Sequence, residues 1–263
     1  MADFKDHFSS IAGAYAEFRP RYPAGLFDWL AGVAARRETC WDCATGNGQA
    51  ASELARRFRR VVATDGSEAQ LAAARPDPRI EYRVARAERS GLPDDWADAI
   101  TVAQAMHWLD PDGFYREAER VARPGAVVAV WGYDLLAIEA GVDRVIARFY
   151  REAMRPWWAP ERRLVDDQYR SLPWPFEPLE FPSVAMTADW TLGHLLGYLG
   201  SWSAVRACLR ETGRDPVADL AGELEATWGP AERSRSVSWP LFGRAGRVRK
   251  GGPARVLGPS PPS

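Results

Sequence analysis

The chain has 263 residues, 46% of them hydrophobic, enough for one large α/β domain or a domain with a small cap. A net charge of −1 excludes the broad basic field of a nucleic-acid binder. No apolar run approaches the ~20 residues of a membrane span. The opening residues, Met1 to Asp6, lack the basic-then-apolar order of a secretory signal. A soluble, cytoplasmic protein with neither nucleic-acid nor membrane partners is expected.

Asp3–Pro23 has aromatics and two arginines but no place in a parallel sheet. Arg19-Pro20 and Tyr22-Pro23 force an extended path. The arm reads as a lid over a cofactor mouth, with Tyr15, Arg19 and Tyr22 facing inward and Arg19 paired with a ligand carboxylate. The alternative is an arm that only packs its aromatics on the surface. Pro23–Ala35 then reads as a helix, with Leu26, Phe27, Leu30 and Val33 at helical spacing.

The next stretch, Cys40–Gln49, organises the chain. An apolar run ends at Asp42, a turn built on Gly46 and Gly48 follows, and Ala50–Phe58 reads as a helix. Strand, glycine turn and helix make the first crossover of a nucleotide-binding α/β sheet. The two glycines permit a tight turn and the close approach of a ligand. Asp65 closes the strand Arg60–Asp65, where a carboxylate can accept hydrogen bonds from the vicinal hydroxyls of a ribose.

Two cofactor classes fit. From Gly46 the loop is G-x-G-x-x-A, and Asp65 falls ~20 residues on, as in a dinucleotide fingerprint. From Asp42 it is D-x-A-x-G-x-G. An acid four residues ahead of Gly46 suits a ligand with a free ammonium and would repel a pyrophosphate. Ala44 is a non-glycine position in this loop, which costs little if its φ stays negative. Cys40-x-x-Cys43 imitates a redox or zinc half-site, but positions i and i+3 of a strand point to opposite faces, and no second pair completes a metal site.

Gly66-Ser67 opens a helix over Glu68–Ala74, and Ile80–Val84 alternates as a strand. Ligands of such sheets bind beyond the carboxyl ends of strands, so Ala87 and Glu88 are placed to touch an adenine. Ala97–Val102 is a fourth strand. His107, just beyond it, stands where a reacting group would sit. Pro111–Ala122 reads as a helix, Pro124-Gly125 as a turn and Ala126–Trp131 as a fifth strand.

After Trp131 the alternation stops. Ile138–Met154, Asp189–Leu199, Ser201–Glu211 and Pro216–Trp228 read as helices, and Pro178–Met186 and Arg233–Pro240 as late strands. Most of the 12 tryptophans fall after residue 100, some of them in two loops dense in proline, Pro156–Pro160 and Leu172–Phe176. They either fill a small core between short helices or line a pocket. The candidates for the pocket are His107, Trp108, Trp131, Tyr133, Trp157 and Trp202. The division expected is an arm over 1–24, a core over 25–131, 176–187 and 232–243, a helical cap over 132–175 and 188–231, and a disordered Gly/Pro/Ser-rich tail over 244–263.

Taken together, Asp6-His-Phe-Ser, Tyr15, Phe18-Arg-Pro-x-Tyr-Pro23, Asp42–Gly48, Asp65-Gly-Ser67, Ala87-Glu88, Leu92-Pro93, Gln104-Ala-x-His-Trp108 and Trp239-Pro240 form an ordered set. The set resembles the small-molecule S-adenosylmethionine (SAM) methyltransferases of the type 11 domain kind, related to trans-aconitate methyltransferase. The likeness spans roughly residues 3–245. It implies a Rossmann-like, seven-stranded mixed α/β sheet with the last strand antiparallel, helices on both faces and an inserted helical cap.

The resemblance further implies SAM as cofactor and S-adenosylhomocysteine (SAH) as product. Ala44, Gly46 and Gly48 would lie under the methionine part, Asp42 would take its ammonium directly or through water, and Arg19 its carboxylate, with Tyr15 and Tyr22 closing the arm. Asp65 with Gly66 would bind the ribose, Ala87 and Glu88 the adenine, and Gln104 the amino-acid end. His107 would be the base if the acceptor needs one. Two rivals stand beside this: an NAD-dependent oxidoreductase and a non-catalytic SAM-fold binding protein. The first wants a set such as Tyr-x-x-x-Lys, which lysines only at 5 and 250 cannot supply. The expected partner is a small methyl acceptor, flat and apolar or a short acid beside Arg155, Arg162 or Arg163, on a monomer or homodimer.

Overall fold

The structure, a computed structural model, describes residues 20–250. Tyr15, Arg19 and the rest of the expected arm up to residue 19 lie outside the described residues, as does the chain after 250. The first half alternates as its sequence predicts. α1 (Ala24–Val33) leads to β1 (Thr39–Cys43), α2 (Gln49–Leu54), β2 (Arg60–Asp65), α3 (Glu68–Ala72), β3 (Ile80–Val84) and β4 (Ala97–Ala103). A short 3-10 turn, Met106–Trp108, precedes α4 (Pro111–Val121) and β5 (Ala122–Tyr133). Asp110 caps α4 by accepting the Gly113 N–H at 3.1 Å, with Pro111 at the first helical position.

Three late strands follow, β6 (Glu177–Leu179), β7 (Ala185–Trp190) and β8 (Arg235–Arg247), and the sheet runs β3-β2-β1-β4-β5-β8-β6, with β7 alongside the other half of β8. β1 to β5 pair in parallel, and β8 (Arg235–Arg247) runs antiparallel to β5. Both sheet faces are covered. Leu26, Phe27, Leu30, Leu54 and Phe58 pack with Cys40 and Ala63 on one side. Trp41, Cys43, Ile100 and Val102 pack with Phe114 and Val121 on the other. Two-sided burial is why β4 reads as a near-continuous apolar run rather than an alternating one. It also sends the buried thiols of Cys40 and Cys43 to opposite faces, where burial raises both pKa values.

The second half departs from expectation in four places. The late strand is two pieces, β6 (Glu177–Leu179) and β7 (Ala185–Trp190), so eight strands stand where seven were expected. Pro182 lies in the break, and Phe181 folds over Gly243, where a Cβ would come within 2.6 Å of its ring. Asp189 and Trp190 are strand, not helix: Met186 and Trp190 are buried while Thr187 and Asp189 are exposed, a period of two. Pro124-Gly125 is absorbed into β5, where pairing with β4 slips between Ala97 and Ala99. Finally, β8 continues to Arg247 in full register with β5, so Arg244–Arg247 are sheet and not tail.

The cap comprises α5 (Ala140–Arg148, continued by a π-helical turn Phe149–Ala153), α6 (Arg163–Asp166), α7 (Leu192–Gly200), α8 (Ser203–Thr212) and α9 (Pro216–Trp228). Its aromatics form a chain of ring contacts. Trp202 meets Phe149, Tyr150, Trp158 and Tyr198, and Tyr198 reaches Trp190 and Trp239.

Candidate active site

The order of strands reverses about β1, whose neighbours β2 and β4 both run parallel to it. A crevice therefore opens beyond the carboxyl ends of β1 and β4. The loop Cys43–Gly48 fills its floor. Ala44, Gly46 and Gly48 have φ of +54°, +57° and +80°. Three left-handed residues in five turn the chain back on itself. The expectation of a negative φ at Ala44 is corrected here: this alanine is strained by ~1–2 kcal/mol where a glycine would not be. At Gly48 a Cβ would strike the hydroxyl and ring of Tyr82, which leans over the loop from β3. Gly48→Ala is therefore expected to lose about 2–4 kcal/mol in urea denaturation, combining strain and overpacking. Tyr82→Phe in the same chain should recover part of it.

Two carboxylates hold this loop. Asp65, at the tip of β2, accepts the Gly46 N–H on Oδ2 and the Ser67 N–H on Oδ1, each at 2.8 Å. The side chain is only half-buried. Asp42 is fully buried. The Thr45 hydroxyl donates to its Oδ2 at 2.5 Å and the Thr101 hydroxyl to its Oδ1 at 2.7 Å. Burial pushes its pKa from 3.8 up to about 6, against the pull of those two hydroxyls and with a further push from Asp65. With both oxygens engaged and no exposed surface, Asp42 offers no direct contact to an ammonium. It acts as a charge behind the loop. Thr101, the one hydroxyl in the apolar strand β4, was legible as an anomaly in sequence but not as a partner of Asp42.

The described end of the arm crosses in front of the loop. The Pro20 carbonyl accepts from Gln49 Nε2 at 3.1 Å, one residue past Gly48. Tyr22 is buried edge-on against Phe27 and Trp131, with centroids 6.3 and 5.8 Å away. Opposite, Ala87 is buried and Glu88 exposed on a tight turn, Arg89 N–H to Arg86 C=O at 3.1 Å. That turn is braced from α4. Buried Glu117 accepts the Ser90 N–H at 2.8 Å and hydroxyl at 2.6 Å, while Arg120 grips Glu117 and donates to the Leu92 carbonyl at 2.8 Å. Burial raises the Glu117 pKa, but Arg120 and Ser90 outweigh it and leave the carboxyl below its ordinary value. Glu117→Gln should cost about 1–3 kcal/mol in urea denaturation and weaken SAH binding several-fold in calorimetry. An unchanged SAH affinity would separate the brace from the ligand.

Beyond β4, Gln104 has φ +53° and folds its amide onto β5. Its Oε1 accepts the Tyr133 N–H at 2.8 Å and its Nε2 donates to the Tyr133 carbonyl at 3.4 Å. The side chain expected at the amino-acid end of a ligand is thus a clasp between strands, and Gly132 leaves it room. His107 Nδ1 lies 3.0 Å from the hydroxyl of Tyr169. Tyr169 is fully buried, edge-on to Phe242 at 5.2 Å, and follows Gln168 in two successive left-handed conformations, φ +59° and +60°. Burial, reinforced by the nearby charge of Arg162, lowers the His107 pKa from 6.5 to about 3. Such a ring stays neutral and is a weak base. Trp108 stacks beside it at 4.8 Å. Trp131 and Trp202 are core residues rather than pocket walls, while Tyr133 is buried and Trp157 only partly so.

A groove of about 600 Å³ at the amino ends of β1 to β3 lies at the opposite edge of the sheet, and its arginines are paired with Glu38, Glu81 and Asp77.

Residues 41–130, from β1 to β5, match the family described as a methyltransferase domain. A protein of Dictyostelium discoideum provisionally named a methyltransferase is 31% identical over 225 residues, covering 84% of this chain and 86% of its own. The chain belongs to the class I SAM-dependent methyltransferases. A solved structure from Anaeromyxobacter dehalogenans, provisionally described as a type II methyltransferase, superposes on the methyltransferase with a TM-score of 0.83 at 48% identity, over 88% of this chain and 98% of that one. An uncharacterized methyltransferase of Mycobacterium tuberculosis is 39% identical over 131 residues, 49% of this chain and 53% of its own. The residues of this methyltransferase fit SAM on the structure itself. At Gly46 an added Cβ would meet only Gln70 Oε1, at 3.7 Å, Asp65 stands half-buried at the lip, and the buried carboxyl of Asp42 lies behind the loop. Among the described residues no helix is long and apolar enough to cross a membrane, and no cluster of His, Cys, Asp and Glu could hold a metal ion.

Proposed function

We propose that this methyltransferase moves a methyl group to a small-molecule acceptor by in-line displacement. One observation carries the proposal: Asp65, fixed by two backbone N–H groups at the tip of β2, stands beside a left-handed glycine loop at the carboxyl end of β1. SAM supplies an electrophilic methyl on a sulfonium. Asp65 would accept the ribose hydroxyls, and the Ala87–Glu88 turn would border the adenine. The main chain of Ala44 to Gly48 would lie under the methionine part, with the Asp42 charge behind it.

Since the leaving group is already good, the protein's main task is to hold the acceptor in line and exclude water. His107, neutral and oriented by Tyr169, would serve as a hydrogen-bonding wall rather than as a base. His107→Gln should leave SAH affinity within about twofold and lower turnover, and the wild-type rate should show no step near pH 6.5 from this ring. A rate that rises through pH 6.5 in wild type and loses that step in the variant would restore the base. Calorimetry with SAM, SAH and NAD tests the whole proposal. Binding of the first two and not the third is expected, and silence toward SAM and SAH refutes it.

A further inference from the structure

We infer that Arg162 anchors an oxyanion of the methyl acceptor: an organic acid whose carboxylate is clasped by the guanidinium fork and whose body rests against Trp158. The inference deepens the proposed methyl transfer and depends on it for where the acceptor lies.

Arg162 ends a 3-10 turn, Pro160–Arg162, that packs on the turn Met106–Trp108 at the carboxyl end of β4. It thus joins the cap to the strand end where the acceptor must approach. Its side chain is 21% exposed. The guanidinium lies over the rings of Trp158 and Tyr150, 4.9 and 5.4 Å from their centroids. Nε donates to the Tyr150 hydroxyl at 2.9 Å, and Tyr150 donates onward to Asp166 at 2.5 Å. One edge of the guanidinium is therefore fixed.

The other edge is not. The two terminal nitrogens have no hydrogen-bond partner among the described residues. Arg57 and Arg235 are comparably buried, at 14% and 12% exposure, yet both terminal nitrogens of each are bonded, to Glu53 and Ala24 and to Glu139 and Trp228. Donors that face solvent without a protein acceptor, on a fork held in place by stacking, match the two oxygens of a carboxylate. Asp166 neutralises the charge only in part, being half-exposed and 3.8 Å from Nε. The positive field reaches His107 and Tyr169. A buried neutral imidazole beside a cation is a weak proton acceptor, but a substrate that arrives as an anion is drawn in by that cation. Trp158, half-buried beneath the guanidinium, is the apolar side chain beside the fork that the rest of the molecule would meet.

The test uses the full chain loaded with SAH and a panel of aryl and arylalkenyl carboxylates set against their primary amides, followed by saturation-transfer NMR and calorimetry. Acids are expected to bind and the isosteric amides not to. Arg162→Met keeps the stem over Trp158 and removes the fork. It should weaken the acids about 10- to 100-fold with SAH affinity unchanged, and Arg162→Lys should recover part of the loss. The inference is overturned if amides bind as well as acids, if no acid binds, or if Arg162→Met binds them as wild type does. Failure of the wild-type chain to bind SAH would instead remove the methyl-transfer proposal beneath it.

Discussion

Asp65→Ala is expected to bring SAH and SAM binding below detection while leaving a folded protein. The carboxylate would lose its bonds to two ribose hydroxyls, each worth ~1.5–3 kcal/mol for a charged acceptor, so affinity should fall by a factor of about 100 or more. It would also free the Gly46 and Ser67 N–H groups that it now holds at 2.8 Å, so the glycine loop itself should loosen. That second effect should appear in urea denaturation as a loss of ~1–3 kcal/mol, because half-buried donors can turn partly to water. Asp65→Asn separates the two. It keeps one acceptor oxygen but turns an NH₂ toward one of the backbone donors, so both losses should be intermediate. Calorimetric binding of SAH to Asp65→Ala at wild-type strength would take the ribose role away from this residue.

Asp42→Asn should do the opposite to stability and still weaken binding. The carboxyl has an ordinary value of 3.8 and a folded value of about 6, so the folded state holds a proton that the unfolded state releases between those limits. Its contribution to stability is present in full below 3.8 and is lost as the pH rises through about 6. At pH 8 the charged group in its buried setting costs at most ~3 kcal/mol. Asparagine removes that cost and can still bond the hydroxyls of Thr45 and Thr101, which are free to rotate. The variant should therefore unfold at higher urea than wild type at pH 8 and show no gain at pH 4.

His107 runs the other way. Its folded value of about 3 lies below 6.5, so its contribution is present above 6.5 and is lost as the pH falls toward 3. Comparing variant with wild type at each pH cancels that term. With the fixed charge gone, affinity for the cationic SAM should fall about tenfold or more, and further than affinity for SAH, which lacks the sulfonium. Wild-type SAM affinity should itself rise as the pH passes about 6. Equal stability of the two chains at pH 8 would show that burial does not strain Asp42 as its surroundings indicate.

The difference between these two acids shows how much of the site could be read in advance. Both were visible as strand-end carboxylates flanking a glycine loop. For Asp65 that located the carboxylate, at the tip of β2 beside the glycine loop whose Gly46 N–H it accepts. For Asp42 that was not enough. Its burial depends on Thr101, 59 residues away on β4, and no local pattern announces that pairing. Gln104 and His107 follow the same rule. Their position beyond β4 was legible, but the clasp to Tyr133 and the contact with Tyr169 arise from chain folded back from 29 and 62 residues away.

By itself the sequence determined the alternating half of the protein, β1 to β5, together with the glycine loop and the acids at the strand tips. There, period, caps and turns are local, and each element is specified by its own residues. Only the tertiary structure decided the rest. It divided the late strand around Pro182, carried β8 to Arg247, placed Trp131 and Trp202 in the core, and left the fork of Arg162 open beside His107. Those outcomes depend on which distant surfaces meet, and burial and charge at a position are properties of the assembled neighbourhood, not of the residue alone.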